Sequence, residues 1–380
     1  MIYFDNAATT FPKPYSVMER VNSAIVEYGG NPGRGGHKLS MRASEKVYQA
    51  RKKVAAFFNA EPQNIIFTSN CTGALNIAIK GLIKRDDHVI ISSLEHNSVV
   101  RPVHYLSLNN HVSYSVATIY DDTATTVSSF RSLINDKTKA IICTHASNVT
   151  GVILPIKEIG ALCKEKGILF IVDAAQTAGV LPIDMQAMNI SAICTAGHKG
   201  IYGITGTGLL ILNNNIDPDC IMHGGTGSLS IDLNQPDFPP DKYESGTINI
   251  PGIFSMDAGI DFINKMTLNK IYQHEFDICK YVYHSFKNYN NITLYTNDFK
   301  LNQNAPIVSF NIGNVESDAI VELLDKNNFA LRGGLHCSPL AHKTYGTIDI
   351  GMIRFSPSVF TKQDSVEKFV KFIRSISKKS

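Results

Sequence analysis

The chain has 380 residues and a mass of 41.8 kDa, more than one compact core usually holds, so two unequal domains are expected. Hydrophobic residues at 44% and charged residues at 18% exclude a disordered or collagen-like chain. A formal net charge of +3, from 36 Lys and Arg against 33 Asp and Glu, is too small to call for a nucleic-acid partner.

The sequence opens with Met1-Ile-Tyr-Phe-Asp-Asn-Ala-Ala-Thr-Thr, which lacks the basic and apolar regions of a secretory signal. No stretch approaches the roughly 18 unbroken apolar residues of a membrane span. The seven cysteines, Cys71, Cys143, Cys163, Cys194, Cys220, Cys279 and Cys337, are odd in number and show no C-x-x-C spacing. That pattern argues against a disulfide framework and against a tetrathiolate zinc site. A cytoplasmic protein without a membrane partner or a resident metal is the expectation.

Short apolar runs then alternate with helical patterns. Strands are expected at Asn64–Thr68, His88–Ser92, Ala140–Thr144 and Ile168–Asp173, and helices at Ala43–Phe58, Thr72–Leu82 and Ile156–Lys166. This rhythm predicts a parallel sheet covered by helices. The stretch His223–Gly246 reads as an ordered excursion. Beyond about residue 250 a long helical segment runs through Phe286. An alternating segment follows at Ile307–Ile312, then a helix around Ser317–Lys326 and a last amphipathic helix from Gln363. The division that follows is a large α/β domain over 15–255 and a smaller α+β domain made of 1–14 and 256–380.

Three local features carry chemistry. In Asn64-Ile-Ile-Phe-Thr-Ser-Asn-Cys-Thr-Gly a strand, a polar turn and a helix start aim free backbone N–H groups at one point, which suits a phosphate. Alone, the segment fits a plain βα loop with a good N-cap better. In Val172-Asp-Ala-Ala-Gln, Asp173 ends a buried strand and needs a cationic or hydrogen-bonding partner. A protonated heterocycle or an ordinary helix cap would both serve. In Thr195-Ala-Gly-His-Lys-Gly, Lys199 sits in a Gly-rich turn before the apolar strand Leu209–Leu212, a placement that suits a desolvated, reactive amine. Taken together, a phosphate cradle, a carboxylate for a pyridinium nitrogen and a lysine for a Schiff base specify pyridoxal 5'-phosphate.

With these motifs the chain resembles the class V aminotransferase group of fold-type I pyridoxal-phosphate enzymes, and within it the cysteine desulfurase and selenocysteine lyase family. The resemblance runs nearly end to end. It is strongest in Phe67–Asn76, Leu94-Glu-His-Asn-Ser, Thr144-His-Ala-Ser-Asn-Val-Thr-Gly, Val172–Gln176, Gly197-His-Lys and Arg332–Pro339. It implies a mainly parallel seven-stranded sheet between helices in the large domain. It also implies roles by position. Lys199 matches the lysine that carries the cofactor, Asp173 the partner of the pyridine nitrogen, and Gln176 the partner of the phenolic oxygen. His96 matches the histidine that stacks on the ring, and Asn148 a residue near ring and substrate. Cys71, Thr72 and His198 match phosphate contacts, Cys71 through its backbone N–H alone.

The family often has a serine where this chain has Ala196, and the first of its paired threonines is replaced by Cys71. Two hydroxyl donors are therefore missing, with Thr195 or a water as the substitute. Thr247, in Tyr243-Glu-Ser-Gly-Thr, matches a residue that reaches the neighbouring subunit's cofactor phosphate, which implies a homodimer. A turn within one subunit fits that sequence equally well.

Around Cys337 the sequence Arg332-Gly-Gly-Leu-His-Cys-Ser-Pro is flexible at its start and polar around one thiol. Without context such a cysteine is more often an inert small hydrophobe, and a His336, Cys337, His342 metal site is disfavoured because zinc needs three or four suitably spaced ligands. In the resembling family this position carries the nucleophile that accepts sulfur, and Arg332 stands where an active-site arginine is found. Arg354 interrupts an apolar segment and matches the arginine for the substrate carboxylate, a role lysine cannot fill with two parallel hydrogen bonds.

The implied reaction converts L-cysteine to L-alanine, with Lys199 moving the α-proton and Cys337 receiving the sulfur as a persulfide. A protein acceptor would then remove it, and the short interval from Cys337 to Arg354 favours a docked partner over a long swinging loop. The alternatives are a selenocysteine lyase acting on L-selenocysteine, a class V aminotransferase or epimerase, and a non-catalytic sulfur-relay or scaffold protein.

Overall fold

The computed structural model describes residues 1–33, 35–296 and 298–378, and in it the apolar runs form strands. The chain begins with β1 (Ile2–Tyr3), α1 (Tyr15–Glu27), α2 (Lys38–Phe58), β2 (Ile65–Thr68) and α3 (Cys71–Leu82). It continues through β3 (His88–Ser92), α4 (Asn97–Asn109), β4 (Ser113–Ala117), α5 (Thr123–Leu133) and β5 (Thr138–Thr144). Next come α6 (Ile156–Lys166), β6 (Leu169–Asp173), β7 (Ala192–Ala196) and β8 (Gly208–Leu212). Seven of these strands form one sheet in the order β2-β8-β7-β6-β5-β3-β4, with β8 antiparallel to both neighbours and the other pairs parallel.

Successive residues of a strand face opposite sides, so a strand covered on both faces must be apolar throughout. In β6, Phe170 and Val172 enter the core shared with α2, α6 and α7, whereas Ile171 enters the core shared with α3 and α4. β4 and β7 are absent from the sequence expectation for opposite reasons. β4 lies at the sheet edge, where Ala117 alone is fully buried, and so lacks an apolar run. β7 is wholly buried, but apart from Ile193 it is built from the small residues Ala192, Cys194, Thr195 and Ala196, over which α3 packs.

After β8 the chain makes a long excursion to α7 (Ile250–Met266), which packs on α1 and α2. There follow α8 (Leu268–Phe286), β9 (Ile292–Leu294), β10 (Val308–Ile312), α9 (Ser317–Lys326) and β11 (Phe329–Ala330). The chain ends with α10 (Pro339–Thr344), β12 (Ile353–Phe355) and α11 (Gln363–Ser377). β12, β10 and β9 form an antiparallel sheet, and β1 pairs in parallel with β11, which brings the N-terminus into the smaller unit. The core of that unit gathers Phe4, Phe286, Phe310, Phe355 and Phe369. We propose that the boundary between the units lies at the turn from α7 to α8 near Thr267 rather than at residue 255. The reason is that Ile253, Phe254, Met256 and Ile260 of α7 share the core of the large sheet.

A buried ion pair fastens the excursion. Arg51 of α2 donates two 2.9 Å hydrogen bonds to the Glu244 carboxylate, which also accepts from the Phe67 N–H at 2.7 Å. The Arg51 guanidinium lies 4.6 Å from the centre of the Phe67 ring. Removing one partner strands the other charge away from water, so Glu244→Ala is expected to lower the unfolding free energy by about 3–5 kcal/mol. Urea unfolding measures this, and a loss below about 1 kcal/mol would contradict the clamp.

Candidate active site

The parallel strands deliver their loops to one edge of the large sheet. Asn70 and Cys71 follow β2, His96 follows β3, Asn148 follows β5, Asp173 ends β6 and Lys199 follows β7. Because β4 and β5 lie on opposite sides of β3, the chain leaves a crevice beyond the carboxyl ends of β3 and β5, where open α/β sheets bind ligands. A cavity of about 230 Å³ opens there. Cys71, Thr72, His96, Asn148, Asp173 and Gln176 line it together with His198, Lys199, Arg332 and Arg354.

Asp173 is 4% exposed. Its Oδ1 accepts from the Ala175 N–H at 2.9 Å and from the Cys71 thiol at 3.5 Å, and among the described residues no cationic side chain pairs with it. A carboxylate withdrawn from water in this way calls for a positive partner from outside the chain. Across the cavity, the Asn70 side chain caps α3 by accepting from the Gly73 N–H at 2.8 Å. The N–H groups of Cys71 and Thr72 take no acceptor among the described residues, so the positive end of α3 faces the cavity.

Lys199 lies in the turn after β7. Its amine is held below the usual lysine range, chiefly by removal from water and further by the charge of Arg354, while Asp173 opposes the shift. The neutral, nucleophilic form is therefore more populated than on a surface lysine. His96 caps α4, and its Nδ1 accepts from the Ser98 N–H at 3.0 Å, which puts the ring proton on Nε2. Burial lowers its pKa and favours the neutral ring. Burial, with the charges of Lys199 and Lys13, likewise holds His198 down at about 4.

The donor set fits pyridoxal phosphate: an unpaired buried acid for a pyridinium, a helix start with free N–H groups for a phosphate, and a desolvated lysine amine in the same cavity. Several positions differ in detail from the sequence expectation. Thr195 does not replace the missing serine hydroxyl, because its side chain is fully buried and its Oγ1 donates to the Ala174 carbonyl at 3.3 Å. Ser98 is a hydroxyl that sequence reading missed. It lines the cavity and bonds both Thr72 Oγ1 at 2.7 Å and His96 Nδ1 at 2.8 Å. The Gln176 amide donates to the Ala7 carbonyl at 3.1 Å.

Asn148 holds other site residues in place. Its Nδ2 donates to the His336 carbonyl at 2.8 Å, its Oδ1 accepts from Ser338 Oγ at 2.7 Å, and its carbonyl accepts from Arg354 Nη1 at 2.9 Å. The other Arg354 contact is Nη2 to Asp5 Oδ1 at 2.7 Å. Asp5, in the N-terminal segment, is a second residue that sequence reading missed. Only its placement through the β1 and β11 pair could have revealed it.

Cys337 is exposed, whereas Cys71, Cys143, Cys163, Cys194 and Cys279 are buried. Arg332 Nη2 approaches its sulfur at 3.8 Å, and its carbonyl accepts from the Asn97 N–H at 2.7 Å, which ties the loop to the start of α4. His336 and Cys337 have φ of 51° and 58°, two consecutive residues in the left-handed region. Cys337 lines a groove that shares Thr72, His96 and Ser98 with the main cavity, so the thiol stands at its mouth. Thr247 lies elsewhere. Within one chain it lines a larger neighbouring cavity of about 530 Å³ that shares Asn70 and Thr72 with the site.

The family model for class-V aminotransferases matches residues 2–369. The chain belongs to the class-V aminotransferase family. A probable cysteine desulfurase of Methanothermobacter thermautotrophicus is 32% identical over 362 residues, covering 91% of this chain and 88% of that protein. A probable cysteine desulfurase of Pyrococcus abyssi is 31% identical and covers 100% of this chain and 94% of its own length. The solved apo structure of a cysteine desulfurase from Thermococcus onnurineus superposes with a TM-score of 0.93 at 30% identity, covering 100% of this chain and 95% of that one. Within the class-V family the chain thus groups with the cysteine desulfurases, which work with pyridoxal phosphate. No helix among the described residues is long and apolar enough to cross a membrane.

One buried acid of this family member has a measurable pH signature. Glu95, next to His96, accepts from the Thr144 N–H at 2.9 Å and from Ser92 Oγ, while its Oε2 has no partner among the described residues. Burial pushes its pKa up to about 8. The folded form holds a proton that the unfolded chain releases near pH 4.5, so wild-type stability falls as pH rises from about 4.5 to 8. Glu95→Gln is expected to escape that loss. Its thermal midpoint should gain on wild type between pH 5 and pH 8, and a constant difference would contradict the assignment.

Proposed function

We propose that the protein is a pyridoxal-phosphate-dependent cysteine desulfurase that converts L-cysteine to L-alanine and receives the sulfur on Cys337 as a persulfide. The observation that carries this reading is an exposed thiol at the mouth of the cavity that holds Lys199, Asp173 and Arg354. An aminotransferase or epimerase has no use for that thiol.

Pyridoxal phosphate, when bound, supplies an aldehyde for an amine and a ring that withdraws electrons from the α-carbon of an amino acid. Lys199 would hold it, with Asp173 at the pyridine nitrogen, Gln176 at the phenolic oxygen, His96 against the ring, and Cys71, Thr72 and His198 around the phosphate. Arg354 takes the substrate carboxylate. Two of its five N–H donors are engaged by Asp5 and Asn148, and its Nε is without a partner among the described residues. Lys199 Nζ accepts the α-proton of the substrate and later returns a proton to the product. Asn148 and Ser338 hold the loop so that Cys337 Sγ meets the substrate sulfur, with Arg332 Nη2 3.8 Å from it. Overall, L-cysteine and the Cys337 thiol become L-alanine and a Cys337 persulfide, with no further reductant.

Arg354→Lys is expected to raise KM for L-cysteine by about 10–100-fold with a smaller change in kcat, because a point charge replaces a forked donor. A KM within about twofold of wild type would place the carboxylate elsewhere. The function as a whole is tested by reducing one portion of the holoprotein with borohydride and mapping the attached coenzyme, and by measuring alanine and sulfide from L-cysteine with a second, unreduced portion in the presence of dithiothreitol, which reduces the persulfide. Attachment at Lys199 with equal yields of both products is the expected result.

A homodimer and a protein sulfur acceptor belong to the same proposal. Exposed apolar side chains cluster on α1 and α2, at Tyr15, Ile25, Val26 and Met41, and on the excursion at Ile231 and Leu233, which supports a second copy covering these surfaces. In such a dimer the partner subunit would close the cavity that contains Thr247.

A further inference from the structure

The thiol of Cys337 opens onto a groove of about 390 Å³ that begins at Thr72, His96 and Ser98 of the site and runs outward beyond the catalytic machinery. One wall is α3, with Asn76 and Lys80, and the other is α4, with Arg101 and Tyr105. The Lys80 ammonium sits 4.7 Å from the centre of the Tyr105 ring, which braces both side chains at the rim. Neither α3 nor α4 contains a single Asp or Glu, and neither does the segment from Arg332 to Tyr345 that carries the thiol. Arg332 adds its charge 3.8 Å from the sulfur. Among the described residues, these segments therefore place one sign of charge around the Cys337 sulfur.

The groove also has direction. Arg101, Tyr105 and Leu108 follow at spacings of four and three residues, so they share one face of α4. Tyr105 and Leu108 are 51% and 71% exposed. From Asn97, which binds the Cys337 carbonyl, to Leu108 the helix rises roughly 16 Å at about 1.5 Å per residue. An extended chain of about five residues spans that length, whereas a small thiol does not.

We propose that this groove docks an acidic, cysteine-bearing segment of a protein sulfur acceptor, its carboxylates facing Lys80 and Arg101 and its thiol facing Cys337. The inference rests on the persulfide reading of Cys337. In the transfer the acceptor thiolate attacks the outer sulfur of the persulfide. A sulfur–sulfur bond forms on the acceptor, the bond to Cys337 Sγ breaks, and Cys337 leaves as a thiolate. One persulfide replaces another, so no oxidant or reductant is consumed. The cationic walls attract the incoming anion.

The test uses the holoenzyme and two short peptides, each with one cysteine, flanked in one by aspartates and in the other by lysines. Dithiothreitol serves as an uncharged acceptor. After loading with L-cysteine and desalting, the transfer rate constant to the acidic peptide is expected to exceed that to the basic peptide by about tenfold or more at low salt, and to fall as salt screens the groove. Lys80→Glu with Arg101→Glu should erase that preference, with Cys337 persulfide formation and transfer to dithiothreitol unchanged. Equal rates for both peptides, or a preference that survives the double substitution, would overturn the proposal. So would a change of sedimentation coefficient in the double variant, which would assign the groove to a second copy of the chain. If no persulfide forms on Cys337, the functional reading fails, and the docking claim is still decided by fluorescence anisotropy. Binding of the labelled acidic peptide to wild type and its loss in the double variant support the groove, and no binding to wild type rejects it.

Discussion

Replacing Lys199 with alanine should reduce alanine formation from L-cysteine by about 10⁴-fold or more, while the protein keeps its far-UV circular dichroism and its thermal unfolding. The size of the effect follows from two roles on one atom. The Nζ of Lys199 is both the nucleophile that would hold the coenzyme aldehyde and the base that moves the α-proton, and proton transfer alone is worth about 10²–10⁴-fold. Lys13, the other amine beside this turn, cannot take over. Its Nζ donates to the His198 carbonyl at 2.7 Å and to Thr10 Oγ1, and it does not line the cavity that contains Lys199. Burial and Arg354 lower the pKa of Lys199, so the wild-type rate should rise with pH through a value below that of a free lysine. A Lys199→Ala enzyme that keeps more than about a hundredth of wild-type kcat/KM would remove the amine from the chemistry.

Cys337→Ser should separate the sulfur step from everything before it. The holoprotein should bind coenzyme and L-cysteine with wild-type spectra, since Cys337 lies outside the cavity that encloses Lys199 and Asp173. Persulfide and cysteine-dependent sulfide should disappear, and alanine formation should fall by about 10²–10³-fold, because a serine hydroxyl is scarcely ionised and a poor partner for sulfur. Stopped-flow absorbance with product analysis measures both halves. Unchanged alanine production would show that sulfur leaves L-cysteine without the Cys337 thiol, whereas the 2-oxo acid or D-cysteine in place of alanine would assign the reaction to the aminotransferase or epimerase alternative.

Much of this arrangement is legible in the sequence because the physics is local. A strand buried on both faces must be apolar at successive positions, as Phe170, Ile171 and Val172 are, and an acid at its end must find a partner. A Gly-rich turn beside a lysine is likewise a short-range signal. What stays hidden depends on contacts far apart along the chain. Asp5 meets Arg354 across 349 positions, Asn148 anchors the Cys337 loop across 188 and 190, and neither contact leaves a trace in spacing or composition. β4 at the sheet edge and β7 with its small residues escape periodicity because edge exposure and close helix packing each remove the apolar run. Ser98 illustrates the same limit. As a sequence position it is an ordinary residue in the first turn of a helix, and only the fold turns it toward Thr72 and His96.

The central claim is that sulfur leaves L-cysteine for Cys337 within the same turnover that makes alanine. The direct measurement is a single turnover of the holoenzyme with L-cysteine labelled with heavy sulfur, quenched by alkylation and analysed by peptide mass spectrometry. One labelled sulfur on the Cys337 peptide, none on the other cysteine peptides, and an equal amount of alanine are expected. Alanine without label on Cys337, or label on another cysteine, would contradict it.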